Sequence, residues 1–155
     1  MINRFFYKSS LSDFLSDSID TIFGKISRND EGDSAKEQKK IARWETICKE
    51  ASEQSHRVTI PQIHNIMTMK ELLNQKQELN LICSLNDETK PLEEYLNKEI
   101  KSILFIIGPE GGFSKKEEDF LIENGFKATT LGKRVLRVET AAIYVASIIN
   151  YIYKG

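Results

Sequence analysis

The residues of this chain best suited to chemistry lie in two glycine turns. The first reads Gly108, Pro109, Glu110, Gly111, Gly112, and the second runs from Leu131 through Gly132, Lys133, Arg134, Val135 and Leu136 to Arg137. Missing side chains let backbone N–H and C=O groups approach a ligand closely. Glu110 is either a plain turn residue or a carboxylate placed to complement a cationic ligand. A phosphate loop is a poor reading, because the first turn lacks the GK[ST] signature and puts an acid where a phosphate would be repelled. A dinucleotide fold fails for want of GxGxxG.

The elements that must hold these turns can be read around them. Ile103 to Ile107 is an unbroken apolar run rich in β-branched residues, as a strand buried on both faces requires. Ser114 with Glu117 makes a capping box, which predicts a helix from about Lys115. Lys127 to Leu131 reads as a second strand, and a final helix begins at about Glu139. Two strand ends, each followed by a glycine turn and a helix, set two loops side by side at the carboxyl edge of a parallel sheet. Open α/β sheets bind ligands at that edge. The fold class is therefore α/β, a mostly parallel sheet flanked by helices.

The stretch Ile107 to Ser114 with Glu117, followed by Leu131 to Ala141, resembles the 16S ribosomal RNA uracil-N3 methyltransferases. These belong to the SPOUT superfamily of knotted S-adenosylmethionine (SAM) enzymes. The resemblance continues through Arg43, Trp44, the run Glu50 to Arg57, and Pro61, in family order over residues 36–153. It implies a SPOUT fold with a C-terminal trefoil knot, SAM as cofactor, and methylation of N3 of one uridine in the 16S ribosomal RNA of the small subunit. It also implies a homodimer, with the RNA site between the SAM pocket of one subunit and side chains of the other. The family's cofactor loops map onto Leu85, Ile107, Gly108, Pro109, Glu110, Gly111, Gly112, Leu131, Gly132, Val135, Leu136 and Arg137.

For catalysis the resemblance points to Arg57, Arg134, Arg137 and Glu139. Uracil N3 must lose its proton, so a group that stabilises the resulting anion is expected. Which arginine serves stays open. Arg134 and Arg137 flank Val135 and Leu136 and face opposite ways if the segment is extended. Arg57 could equally satisfy carbonyls at a helix end, and Glu139 suits the first turn of a helix on dipole grounds alone. Two other functions remain: a SPOUT fragment that binds SAM or a partner without catalysis, and a SPOUT enzyme acting on transfer RNA, against which the GPEGG pattern argues.

The 155 residues leave room for one domain with a sizeable core. Lys and Arg number 22 against 23 acids, so no global positive field draws the chain to RNA, and recognition must rest on a local patch or another subunit. Cys48 and Cys83 form no CxxC, which fits a reducing cytoplasm and no metal site. No apolar run is long enough to cross a membrane.

Residues 1–8 read as a strand that aligns with the middle of the family's catalytic domain. The family's first strand and helix, and its PUA-like RNA-binding domain, have no counterpart in the sequence, so residues 1–155 read as a methyltransferase domain alone. Tyr7 to Ser10 lacks the arginine usual in the family, and His56 stands where glycine is common. Ser10 to Phe23 reads as a weak helix, and Ser27 to Lys40, with Ala35 its lone apolar residue, as a solvated loop. Ile41, Trp44, Ile47, Cys48 and Ala51 form a helical stripe over Glu37 to Ser55, with the basic Arg43 off it. Val58 to Ile63 begins a strand, Thr68 to Gln75 is a short helix, Leu79 to Leu85 a buried strand, and Leu92 to Asn97 another short helix. Thr140 to Tyr153 is apolar at nearly every helical angle, so it should be buried on more than one side. One face suits the sheet, and Tyr144, Ile148 and Tyr151 are then free to meet a second copy.

Overall fold

The computed structural model describes residues 5–10, 21–27, 34–86, 89–109 and 111–154. Its elements follow in the order β1 (Phe5–Ser10), β2 (Thr21–Ser27), α1 (Ser34–Gln54), β3 (Gln62–Ile63), β4 (Met67–Thr68), α2 (Met69–Leu72), β5 (Leu79–Cys83), β6 (Lys90–Pro91), β7 (Ser102–Ile107), α3 (Lys115–Glu123), β8 (Lys127–Thr130) and α4 (Val138–Lys154).

The apolar run Ile103 to Ile107 makes β7 a central strand buried on both faces. Because successive side chains alternate, Ile103, Phe105 and Ile107 join Val138, Ala141, Val145 and Ile149 of α4 in one core. Leu104 and Ile106 turn the other way and pack with Leu72, Leu121 and Phe126 beneath α2 and α3. Each of the Val, Leu, Ile and Phe side chains among these contributes roughly 1.5–3 kcal/mol when fully buried, so the sheet is held from both sides.

The strand order is β3-β2-β1-β7-β5-β8-β6, with β4 also paired to β2. β7, β5, β8 and β6 are mutually parallel. β1 runs antiparallel to both of its neighbours, β7 and β2. The sheet is thus mostly parallel and flanked by helices, an α/β fold. The chain passes from β7 through α3 to β8, stepping over β5, and α4 then returns on the opposite face. Three parallel strands therefore end together, β7 at Ile107, β5 at Cys83 and β8 at Thr130.

Several local expectations change. Thr21 to Phe23 belong to β2, a strand whose partner is β1, and residues 11–20 lie outside the described set. α1 starts at Ser34, three residues before the expected Glu37 and within the stretch expected as loop up to Lys40, and residues 28–33 are again outside. The buried stripe of α1 is Ile41 with the half-buried Trp44 and Cys48, continued by Ser52, while Ile47 and Ala51 face solvent. The segment after α1 pairs only at Gln62–Ile63 and Met67–Thr68. β5 stops at Cys83, and the helix expected at Leu92 is a single 3-10 turn over Leu92–Glu94. Thr68 caps α2, accepting Glu71 N–H at 3.2 Å while its own N–H donates to Glu71 Oε2 at 2.7 Å. Among the described residues, no helix is long and apolar enough to cross a membrane.

Candidate active site

The three strand ends open into one cleft of about 200 Å³. The loop after β5 contributes Ser84, Leu85 and Asn86. The turn after β7 contributes Gly108, Pro109 and Gly112. The segment between β8 and α4 contributes Leu131 to Leu136, while Cys83, Ile107, Thr130 and Ala141 complete the wall.

Local chemistry fixes each wall. The first glycine turn closes with the Gly112 N–H donating to the Pro109 carbonyl at 2.8 Å. Gly112 stands at φ 73°, where an L side chain is strained, and an added Cβ would lie 3.1 Å from Leu85 Cδ1. At Gly108 an added Cβ would press on the Phe113 ring at 3.2 Å. The turn leads into α3, whose start is held by the Ser114 N–H donating to Glu117 Oε2 at 2.9 Å, the expected carboxylate half of a capping box. On the other side the Thr130 hydroxyl donates to the Gly132 carbonyl and accepts the Gly132 N–H, both at 3.2 Å. α4 then begins with the Ala141 N–H donating to the Arg137 carbonyl at 2.8 Å.

Of the residues singled out in the sequence, the cleft gathers Leu85, Ile107, Gly108, Pro109, Gly112, Leu131, Gly132, Arg134, Val135 and Leu136. Gly111 is not in its wall, and a Cβ added there meets nothing within 4 Å. Glu110 lies outside the described residues. Arg137 and Glu139 are exposed at the start of α4 and do not line the cleft. Arg57 is elsewhere, just past the end of α1. Its N–H donates to the Ser52 carbonyl at 2.9 Å and its charge acts on Cys48. Lys133 lies within the Leu131–Leu136 turn and Ser84 and Asn86 flank Leu85, whereas Cys83, Thr130 and Ala141 were not among the residues expected to line a site. Cys83 and Thr130 are the last residues of their strands and Ala141 sits in α4, so their sequence patterns report packing and not a ligand.

The cleft's electrostatics are simple. Burial pushes the Cys83 thiol up to about 11, so it contributes a neutral wall and no thiolate near neutral pH. Lys133 and Arg134 sit exposed at the rim and make the mouth positive. Among the described residues, no three His, Cys, Asp or Glu side chains gather in a way that could hold a metal ion.

A family model described as RNA methyltransferase domain matches residues 17–150. The chain belongs to that RNA methyltransferase family. Within it, the chain is similar to the ribosomal RNA small subunit methyltransferase E of Bacillus subtilis, 34% identical over 127 residues, covering 77% of this chain and 50% of the relative. The protein of the same name from Mesomycoplasma hyopneumoniae is 38% identical over 108 residues, covering 70% and 47%. This chain thus spans about half the length of the relatives it matches. Among solved structures, a Legionella pneumophila protein in complex with the bound cofactor SAM superposes with a TM-score of 0.71 at 32% identity, over 83% of this chain and 53% of that one. A Neisseria gonorrhoeae ribosomal RNA small subunit methyltransferase E bound to S-adenosyl methionine gives 0.62 at 40% identity, over 72% and 48%.

Proposed function

We propose that this chain is the catalytic domain of a SAM-dependent methyltransferase that modifies N3 of a uridine in the 16S ribosomal RNA of the small subunit. One observation carries the reading: the glycine turn and the Leu131–Leu136 segment, far apart in sequence, meet in one cleft at the carboxyl edge of the sheet, in a chain similar to SAM-bound methyltransferases.

The residues present suit SAM. Gly108, Gly112 and Gly132 bare the backbone on two sides of the cleft, and Leu85, Leu131 and Leu136 supply apolar surface for an adenine ring. A cavity of about 200 Å³ is smaller than the roughly 300–1,000 Å³ usual for ligand pockets, so binding would shift the exposed Lys133–Val135 rim outward. SAM, when bound, supplies an electrophilic methyl group on a sulfonium. The protein's part is chiefly to hold donor and nucleophile in line. Backbone groups of the two turns orient the cofactor, and the leucines exclude water.

Its position in the cleft wall supports Arg134 as the arginine that meets the substrate base or an adjacent phosphate and stabilises the uracil anion. Arg57, Arg137 and Glu139 stand outside this cleft, and in a homodimer they are candidates to complete a partner's site. The superfamily's trefoil knot would involve the β8–α4 connection and the first glycine turn, which line the same cleft. A cytoplasmic setting follows from the ribosomal substrate.

Radiolabelled methyl transfer from SAM to undermodified small ribosomal subunits, with the product nucleoside identified, is the test. Label in N3-methyluridine is expected. A chain that binds SAM but transfers no methyl to either small subunits or transfer RNA would be the binding-only alternative, and label in transfer RNA alone would replace the substrate.

A further inference from the structure

Glu118 follows the capping Glu117 in α3 and is not part of the cleft wall. Its Oε1 nevertheless accepts a 2.7 Å hydrogen bond from the Ser84 hydroxyl, 34 residues away in sequence. The Ser84 oxygen in turn accepts the Asn86 N–H at 3.1 Å, and the Ser84 N–H donates to the Thr129 carbonyl at 2.9 Å. Ser84 is only 4% exposed, so its hydroxyl has little water to turn to, and removing the carboxylate leaves a buried donor unsatisfied. Leu85 is held between these two anchored residues. Its side chain rests against Gly112, across the cleft from its own strand.

We propose that Glu118 is a positioning residue for the cleft: acting through Ser84, its carboxylate fixes the Leu85–Asn86 wall against the glycine turn in the geometry that binds SAM. The inference rests on the SAM reading above. A hydrogen bond to a carboxylate is roughly twice as strong as one between neutral groups, and it polarises the Ser84 oxygen that receives the Asn86 N–H. One helix thereby sets the spacing of two loops, since α3 begins where the glycine turn ends and grips the loop after β5.

The test is SAM affinity by calorimetry across a small set of variants, with melting temperature measured beside it. Glu118→Ala and Ser84→Ala should each weaken SAM about tenfold, and the double variant should also lose about tenfold rather than a hundredfold, because the two groups act as one unit. Glu118→Asp keeps the charge but withdraws it by one methylene, and should lose affinity as Ala does. Glu118→Gln retains an accepting oxygen and should recover most of the binding. Unchanged SAM affinity with a lowered melting temperature would mean a merely structural bond, and additive losses would mean independent effects; either overturns the proposal. If the unmutated chain binds no SAM, the cofactor reading fails instead. Amide exchange at Leu85 and Asn86 then judges the tie: faster exchange in Glu118→Asp upholds it, and unchanged exchange ends it.

Discussion

At Gly112 two constraints coincide. The backbone stands at φ 73°, which costs an L residue about 1–2 kcal/mol, and an added Cβ would crowd Leu85 at 3.1 Å. Gly111, next to it, has neither constraint. Close backbone approach bears on both glycines when read from the sequence, but only Gly112 has the geometry that requires it. Gly112→Val is expected to lower the melting temperature and abolish SAM binding by displacing Leu85 into the cleft. Gly111→Ala should leave the melting temperature nearly unchanged. Calorimetry decides it, and undiminished SAM affinity in Gly112→Val would take the turn out of the site.

The end of α1 shows how an element can be set by one unfavourable residue. His56 adopts φ 53°, the Arg57 N–H reaches back to the Ser52 carbonyl at 2.9 Å, and the His56 N–H to the Glu53 carbonyl at 3.2 Å. That is a Schellman cap with histidine in the position glycine favours. His56→Gly should therefore stabilise the fold by up to about 1 kcal/mol, the strain relieved less the added freedom of the unfolded chain. Thermal unfolding checks it, and a lower melting temperature would mean that the imidazole makes contacts worth more than the strain.

The same cap puts Arg57 at the helix end, one of the two readings its sequence allowed, with its backbone N–H on the Ser52 carbonyl and the residue outside the cleft wall. Elements with strong local signals were readable: the β7 run, both glycine turns, the Ser114 cap and α4. β2 was not, because Ile19 and Ile22 recur at near-helical spacing while its strand character comes from pairing with β1. The first three residues of α1, before Glu37, were not, because Ile41 is the first residue there with a core to enter. The Ser84–Glu118 tie has no sequence pattern at all, being a contact across the fold.

At the scale of the whole molecule, charge and exposed apolar surface govern what the chain can meet. With 22 basic and 23 acidic residues, the basic groups at or beside the cleft mouth are chiefly Lys133, Arg134 and Arg137. Three phosphate contacts would give a log–log salt slope no steeper than about −3, so this chain alone should bind a short ribosomal RNA helix weakly, and sub-micromolar affinity at physiological salt would show a larger recognition surface. Assembly is the second consequence. α4 presents Val145 and Ile149 to the sheet and leaves Ile143 68%, Tyr144 43% and Tyr151 82% exposed. An apolar stripe of this kind on one helix is suited to meet its own copy across a two-fold axis. Ile148, expected in that contact from the sequence, packs partly against the core, so a glutamate there would disturb folding as well as any contact. Ile143→Glu is the sound substitution, since it places an unpaired charge in the proposed contact without touching the core. Sedimentation should show a dimer for the unmutated chain at tens of micromolar and a monomer for Ile143→Glu, while SAM binding at the cleft, built from one chain's loops, persists in the monomer. A monomeric unmutated chain, or a variant that still dimerises, would rule out this face as the interface.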